Sequence, residues 1–104
     1  MKYGLAEYSI MFKAMGDETR LKILTMLTIG KTCACKILEA FNFTQPTLSY
    51  HMRQLTDSGL VDAAKEGKWV HYSISQNRLD LISEFIAETT KIGNTKDTCP
   101  KEEC

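Results

Sequence analysis

The sequence lacks several things, and each absence excludes a class of protein. No apolar run approaches the roughly 18 residues that cross a bilayer, so no membrane span or membrane partner is expected. The first residues, Met1 to Tyr8, lack the unbroken apolar stretch of a secretory signal, which leads to the expectation of a cytoplasmic protein. Neither a repeat nor a low-complexity tract is present. There is no C-x-x-C pair and no glycine loop that would cradle a phosphate, so a small thiol enzyme would lack its usual activating surroundings. The chain is therefore not expected to be an enzyme. Net charge is also missing, because 13 basic side chains balance 13 acidic ones. A basic excess is the ordinary footprint of a nucleic-acid binder, so the total charge does not point there.

The distribution of charge is more informative than its sum. Between Ala40 and Thr56 there is no acid, while Asp80, Glu84 and Glu88 gather late in the chain and Asp97, Glu102 and Glu103 gather at its end. A neutral protein can still present a locally positive face. The 104 residues, 43% hydrophobic and 25% charged, fit one globular domain. A core of that size is often completed by dimerisation.

Periodicity divides the chain into elements. Leu5, Tyr8, Ile10, Met11, Phe12 and Met15 make a broad helical stripe that Gly16 ends. Asp17 is placed to cap a second helix, in which Leu21, Leu24 and Leu27 lead the expected core face and Ile29 follows, before Gly30 stops it. Thr32 is placed to cap a short helix carrying Cys33, Cys35, Ile37 and Leu38, with a turn at Asn42 and Phe43. Thr44 then caps another helix with Pro46 near its first position, and Leu48, Met52 and Leu55 at i, i+4 and i+7 line one buried face. Residues 60–64 and 69–74 read as strands joined by a turn at Lys65 to Lys68, a β-hairpin. Asn77 is placed to cap a last helix whose apolar face runs from Leu79 to Ile92. Residues 1–94 make the domain and 95–104 a flexible tail carrying Cys99 and Cys104. The fold is thus mainly α with a β-hairpin: two short helices joined by a tight turn, then a hairpin, a winged helix-turn-helix.

With Leu48, Met52 and Leu55 inward, the opposite helix face carries Gln45, Thr47, Ser49, Tyr50 and Arg53, with His51 at its boundary. Glutamine suits adenine, arginine suits guanine, and the hydroxyls suit phosphates or bases, so this face is the candidate reader of double-stranded DNA. Lys65 and Lys68 on the hairpin suit phosphate or minor-groove contact. The plainer alternative is a solvated helix face and a solubilising hairpin tip. DNA binding in this arrangement needs no cofactor.

Cys33 and Cys35 form the other constellation. In a reducing compartment, clustered cysteines read as soft-ion or redox sites, against the alternative of small buried hydrophobes. Residues i and i+2 lie about 200° apart on a helix. If both cysteines are helical, an ion must unwind the first turn to reach both sulfurs.

Several motifs together resemble arsenical repressors of the ArsR family. Thr32-Cys33-Ala34-Cys35-Lys36-Ile37-Leu38 resembles that family's cysteine-bearing helix. Thr44 to Met52, Leu55 and Ser58-Gly59-Leu60-Val61 resemble its recognition helix and exit. Gly67 to Tyr72 resembles its wing, and Asp17-Glu18-Thr19-Arg20 with Ile23-Leu24 its second helix. The resemblance spans roughly residues 8 to 75. It implies a homodimer joined through the first and last helices, here about Tyr3–Met15 and Asn77–Ile92, that leaves its operator when As(III) or Sb(III) binds as inducer. Cys33 and Cys35 are the implied thiolates. In members that bind inorganic arsenic a third cysteine stands where this chain has Leu38, and an acid is common where it has Lys36. The third bond of a trivalent ion then falls to an organic group on the arsenical, such as methyl or aryl, or to Cys99 or Cys104. A zinc site on the last helix, as in some relatives, would need histidine there, and that helix has none.

Overall fold

A computed structural model describes residues 3–91 and 93. The elements run α1 (Leu5–Met15), α2 (Glu18–Leu27), β1 (Thr32–Cys33), α3 (Ala34–Phe41), α4 (Gln45–Asp57), β2 (Val61–Glu66), β3 (Trp69–Ile74) and α5 (Gln76–Thr89). The expected four helices, hairpin and helix are all present. The proposed tail and Ile92 lie outside the described residues. Among the described residues no helix is long and apolar enough to cross a membrane.

Side-chain oxygens cap two of the helix starts. The Asp17 carboxylate accepts the Arg20 backbone N–H at 3.0 Å, and Thr44 Oγ1 accepts the Thr47 N–H at 3.4 Å, with Pro46 in the first turn where no donor is lost. Asn42 ends α3 in the left-handed region, φ 54°, and its N–H returns to the Leu38 carbonyl.

The core gathers one face from each helix: Tyr8, Met11 and Ala14 from α1, Ile23, Leu24 and Leu27 from α2, Ile37 from α3, Leu48, Met52 and Leu55 from α4, and Leu81 and Ile82 from α5. The inward face read for α4 is therefore correct. The one read for α2 is rotated. Leu21 is exposed, and its place is taken by Arg20, whose guanidinium is buried because it closes the end of α1. Its Nε donates to the Ala14 carbonyl at 2.7 Å and Nη2 reaches the Lys13 carbonyl at 3.5 Å, partnering carbonyls that a helix end leaves without internal donors.

Three expectations need correction in the second half. The hairpin turn is two residues, Gly67 and Lys68, because Glu66 pairs with Trp69. Gly67 takes φ 68°, which a tight hairpin turn requires and a residue with a Cβ resists. The last helix starts at Gln76 behind Ser75, not behind Asn77, and the Ser75 side chain makes no cap bond. Finally, the sheet has three strands in the order β1-β3-β2, since Thr32 and Cys33 pair antiparallel with Tyr72 and His71.

The Asp17 carboxyl is held below the ordinary carboxylate range, chiefly by the Arg20 N–H and then by the Arg20 charge. A depressed folded pKa gives stability that is full above the unfolded value and is lost as pH falls through the folded one. Asp17→Asn is expected to retain an acceptor for the cap and to flatten the acid limb of a Tm-against-pH curve between about pH 5 and 2. A limb of unchanged steepness would show that other carboxyls set it.

Candidate DNA-reading face and thiol site

The outer face of α4 follows from its inner one. Gln45, Thr47, Ser49, Tyr50 and Arg53 are all exposed, and Tyr50 retains 58% of its surface. Ser49, Tyr50 and Arg53 share a shallow concavity with Pro46. Gln45 and Ser49 share a second one, of about 210 Å³, with Lys68, Trp69, Val70 and Tyr72 of the hairpin and Leu38 of α3. The structure thus brings the start of α4 and the hairpin tip to one surface. Lys65, also exposed, stands in register with Val70.

His51 differs from these residues. Its side chain keeps 14% exposure, and Nδ1 lies 3.2 Å from Arg20 Nη1 and 4.0 Å from an Asp17 oxygen. Its ring sits between Phe43, at 5.7 Å, and Tyr50, at 5.2 Å, and Phe43 stacks on Phe41 at 5.2 Å. The geometry makes it a support beneath the reading face, tying α4 to α2 and to the end of α3. Spacing alone gave no sign of Arg20, Phe41 and Phe43 in this role. The sequence clue was a lone basic residue on the apolar face of α2.

The thiol pair is placed differently from the helical expectation. Cys33 is the last residue of β1 and the N-cap of α3, with extended backbone at φ −68° and ψ 140°. Only Cys35 is helical, and its N–H donates to Cys33 Sγ at 3.2 Å. The Cα atoms are 5.2 Å apart and the two sulfurs are joined as a disulfide. No helical turn has to unwind for the sulfurs to converge, because the bend from strand to helix has already brought them together.

What surrounds Cys33 was not legible in the sequence. It lines a cavity of about 310 Å³ with Met26, Ile29, Gly30, Lys31, Thr32, Lys36 and His71. Cys33 and His71 are opposite one another in the β1–β3 register, so both side chains leave the same face of the sheet. His71 Nδ1 is buried and has no hydrogen-bond partner among the described residues. Lys31 Nζ meets Glu66 at 2.7 Å across the cavity's hairpin side, and this contact lowers the Glu66 pKa. Among the described residues no three His, Cys, Asp or Glu side chains form a ready cation site. Chemically, the pair is suited to a soft ion held by two sulfurs or to a dithiol–disulfide change.

A helix-turn-helix whose second helix shares a surface with a β-hairpin defines a winged-helix regulator of transcription, not an enzyme. The sequence model described as "Bacterial regulatory protein, arsR family" matches residues 17–63. An arsenical resistance operon repressor of Staphylococcus xylosus is 42% identical over 88% of this chain and 84% of its own. That of Bacillus subtilis (strain 168) is 39% identical over 91% and 92%. The chain belongs to the arsR family. Among solved structures, an ArsR family transcriptional regulator, RHA00566, superposes with a TM-score of 0.82 at 22% identity, over 93% of this chain and all of that one. The homodimeric winged helix-turn-helix domain Mb0332 from Mycobacterium bovis superposes with a TM-score of 0.68 at 29% identity, over 81% of each chain.

Arg20→Met is expected to leave the Ala14 carbonyl and His51 without their partner. The cost should be roughly 1–3 kcal/mol, the range for an unpaired buried polar group, read as a lower urea midpoint. An unchanged midpoint would mean that water replaces the guanidinium.

Proposed function

We propose that the protein is a homodimeric, cytoplasmic repressor of arsenical-resistance genes that releases operator DNA when trivalent arsenic or antimony, inorganic or methylated, binds Cys33 and Cys35. The observation that carries this reading is the position of Cys33. It offers a sulfur suited to soft ions, and it is the cap of the helix that precedes α4 and the strand partner of His71 in the hairpin. The arsenical resistance repressors among its relatives agree with the inducer class.

Gln45, Thr47, Ser49, Tyr50 and Arg53 read the major groove, and Lys65 and Lys68 hold the flanking backbone, while His51 braces the reading helix from below. The homodimeric relative supports assembly as a pair, and α1 and α5 provide the surface. Tyr8 and Phe12 pack on Phe85, at 4.8 and 5.4 Å, while Leu5, Ile10 and Ile86 remain exposed in the single chain. Two readers then reach successive major grooves about 34 Å apart, a spacing that small rotations spoil.

An ion on the two sulfurs dictates where Cys33 sits. Its backbone is bonded into the sheet, so the demand passes to the wing through β1–β3 and to α4 through α3 and the Phe41–Phe43–His51 ring contacts. A third thiolate from Cys99 or Cys104 is compatible with this route. The experiment is operator binding by the reduced protein with and without arsenite, antimonite and methylarsenite. Cys33→Ser and Cys35→Ser should each bind operator with wild-type affinity and resist release, and normal release from both variants would remove the site assignment.

The disulfide favours a second reading within the same fold, a redox or persulfide sensor. Here two thiols lose two electrons and two protons to a peroxide, giving the disulfide and water. Peroxide or polysulfide releasing operator at lower dose than arsenite would favour it.

Lys68→Gln removes one cation from the hairpin tip that holds the backbone. It is expected to reduce the slope of log affinity against log salt by about 1, measured by operator titration from low to moderate salt. An unaltered slope would place Lys68 away from the phosphates.

A further inference from the structure

Two sulfurs satisfy two of the three bonds of trivalent arsenic, and the cavity beside Cys33 has features that a thiol site alone does not need. Ile29 stands at its edge with 86% of its surface exposed, the most exposed large apolar side chain among the described residues. Met26 adds a second apolar wall. The cations are unequally engaged. Lys31 is taken by Glu66, whereas Lys36 has no hydrogen bond or ion pair among the described residues. His71 completes the lining, and its buried Nδ1 has no hydrogen-bond partner among the described residues. At about 310 Å³ the cavity is at the lower end of small-molecule pockets. It presents an apolar rim and an ammonium that has no partner among the described residues.

We propose that this cavity is a subsite for the organic substituent of a monosubstituted trivalent arsenical, and that it selects a flat apolar group carrying an anionic or hydrogen-bonding end, such as a substituted aryl ring. This rests on the arsenical reading given above and specifies its ligand. Ile29 and Met26 cover the ring, and Lys36 meets the polar end. A monothiol reductant first converts the Cys33–Cys35 disulfide to two thiols, itself becoming oxidised. Condensation follows without further redox change. Each thiol displaces one hydroxide from R–As(OH)₂, two As–S bonds form as two As–O bonds break, and the thiol protons leave with the hydroxides as two waters. The As–C bond is untouched, and its substituent lies on the Cys33 side, where the cavity opens.

The test uses the reduced full chain, and the same chain with Cys99→Ser and Cys104→Ser. Dissociation constants and operator release are measured for arsenite, methylarsenous acid, phenylarsenous acid and 4-carboxyphenylarsenous acid. Affinity should rise in that order in both chains, with the carboxyphenyl compound about tenfold tighter than phenyl, equivalent to about 1.4 kcal/mol for one new charged contact. Ile29→Ser, at an exposed position, should lower the phenyl-to-arsenite affinity ratio several-fold, and Lys36→Met should erase the carboxyphenyl-to-phenyl ratio. Operator release by all four compounds with equal affinities, or with ratios that neither substitution alters, overturns the subsite while leaving the repressor reading intact. Arsenite preferred over the organic compounds in the parent chain, and lost in the Cys99→Ser, Cys104→Ser chain, overturns the subsite in favour of a tail thiolate. Operator retention with every arsenical overturns the repressor reading and the subsite together.

Discussion

The short pairing of Thr32 and Cys33 with Tyr72 and His71 is the constraint on which the arrangement turns. It is two residues long, but it connects segments nearly forty residues apart and sets the place of everything between. Thr32 faces inward, is buried, and its hydroxyl donates to the Gly30 carbonyl at 2.9 Å, fixing the exit from α2. Cys33 faces the other way and starts α3 as its cap. The same three-stranded sheet therefore anchors the hairpin at its base and orients the helix that carries the second cysteine. A shift of the strand by one residue would exchange the two faces, putting the sulfur toward the core and the threonine outside.

The second constraint is the buried stripe of α4. Leu48, Met52 and Leu55 lock the helix in rotation against the core, and truncating any of them would cost several kcal/mol. Rotation alone does not define a reading surface, since the axis must also be held. The network of Asp17, Arg20 and His51 supplies this from the α2 side, and the stacked Phe41 and Phe43 supply it from the α3 side. One guanidinium closes α1, lies within α2 and touches α4. A basic residue among apolar neighbours is tolerated there because backbone carbonyls and an imidazole replace its water.

Much of this was legible in the sequence because it is local. Asp17 and Thr44 announced their helices by cap chemistry, and the 1-5-8 spacing of Leu48, Met52 and Leu55 fixed the outward face of α4. The errors share a cause. Thr32 and Cys33 look like the start of a helix because the helix does begin one residue later. Only the distant strand shows that they are extended, and no periodicity can reveal a two-residue strand. Leu21 looked like core because leucine at helical spacing ordinarily is, yet Arg20 had a stronger claim on the buried position through the carbonyls of α1. The cavity beside Cys33 was illegible for the same reason, being assembled from α2, β1, α3 and β3. The family motifs carried the class of protein, while the proposed route from sulfur to wing came from the register alone.

The placement of Cys33 also bears on how a small ligand can move a larger surface. A ligand shifts an equilibrium only by its differential affinity for the two states, however tightly it binds. A thiol pair on a free loop would bind arsenic equally well with DNA present or absent, and would transmit nothing. Cys33 is instead committed through its backbone to the wing strand and through its sulfur to the Cys35 N–H in the first turn of α3. A ligand that takes the sulfur removes that cap, and one that repositions the residue strains the strand. Each of these is worth about 1 kcal/mol, and a dimer carries two copies of each. The sum reaches the few kcal/mol typical of coupling between sites, so the ordinary bonds around one N-cap cysteine are sufficient for the proposed switch without a large rearrangement.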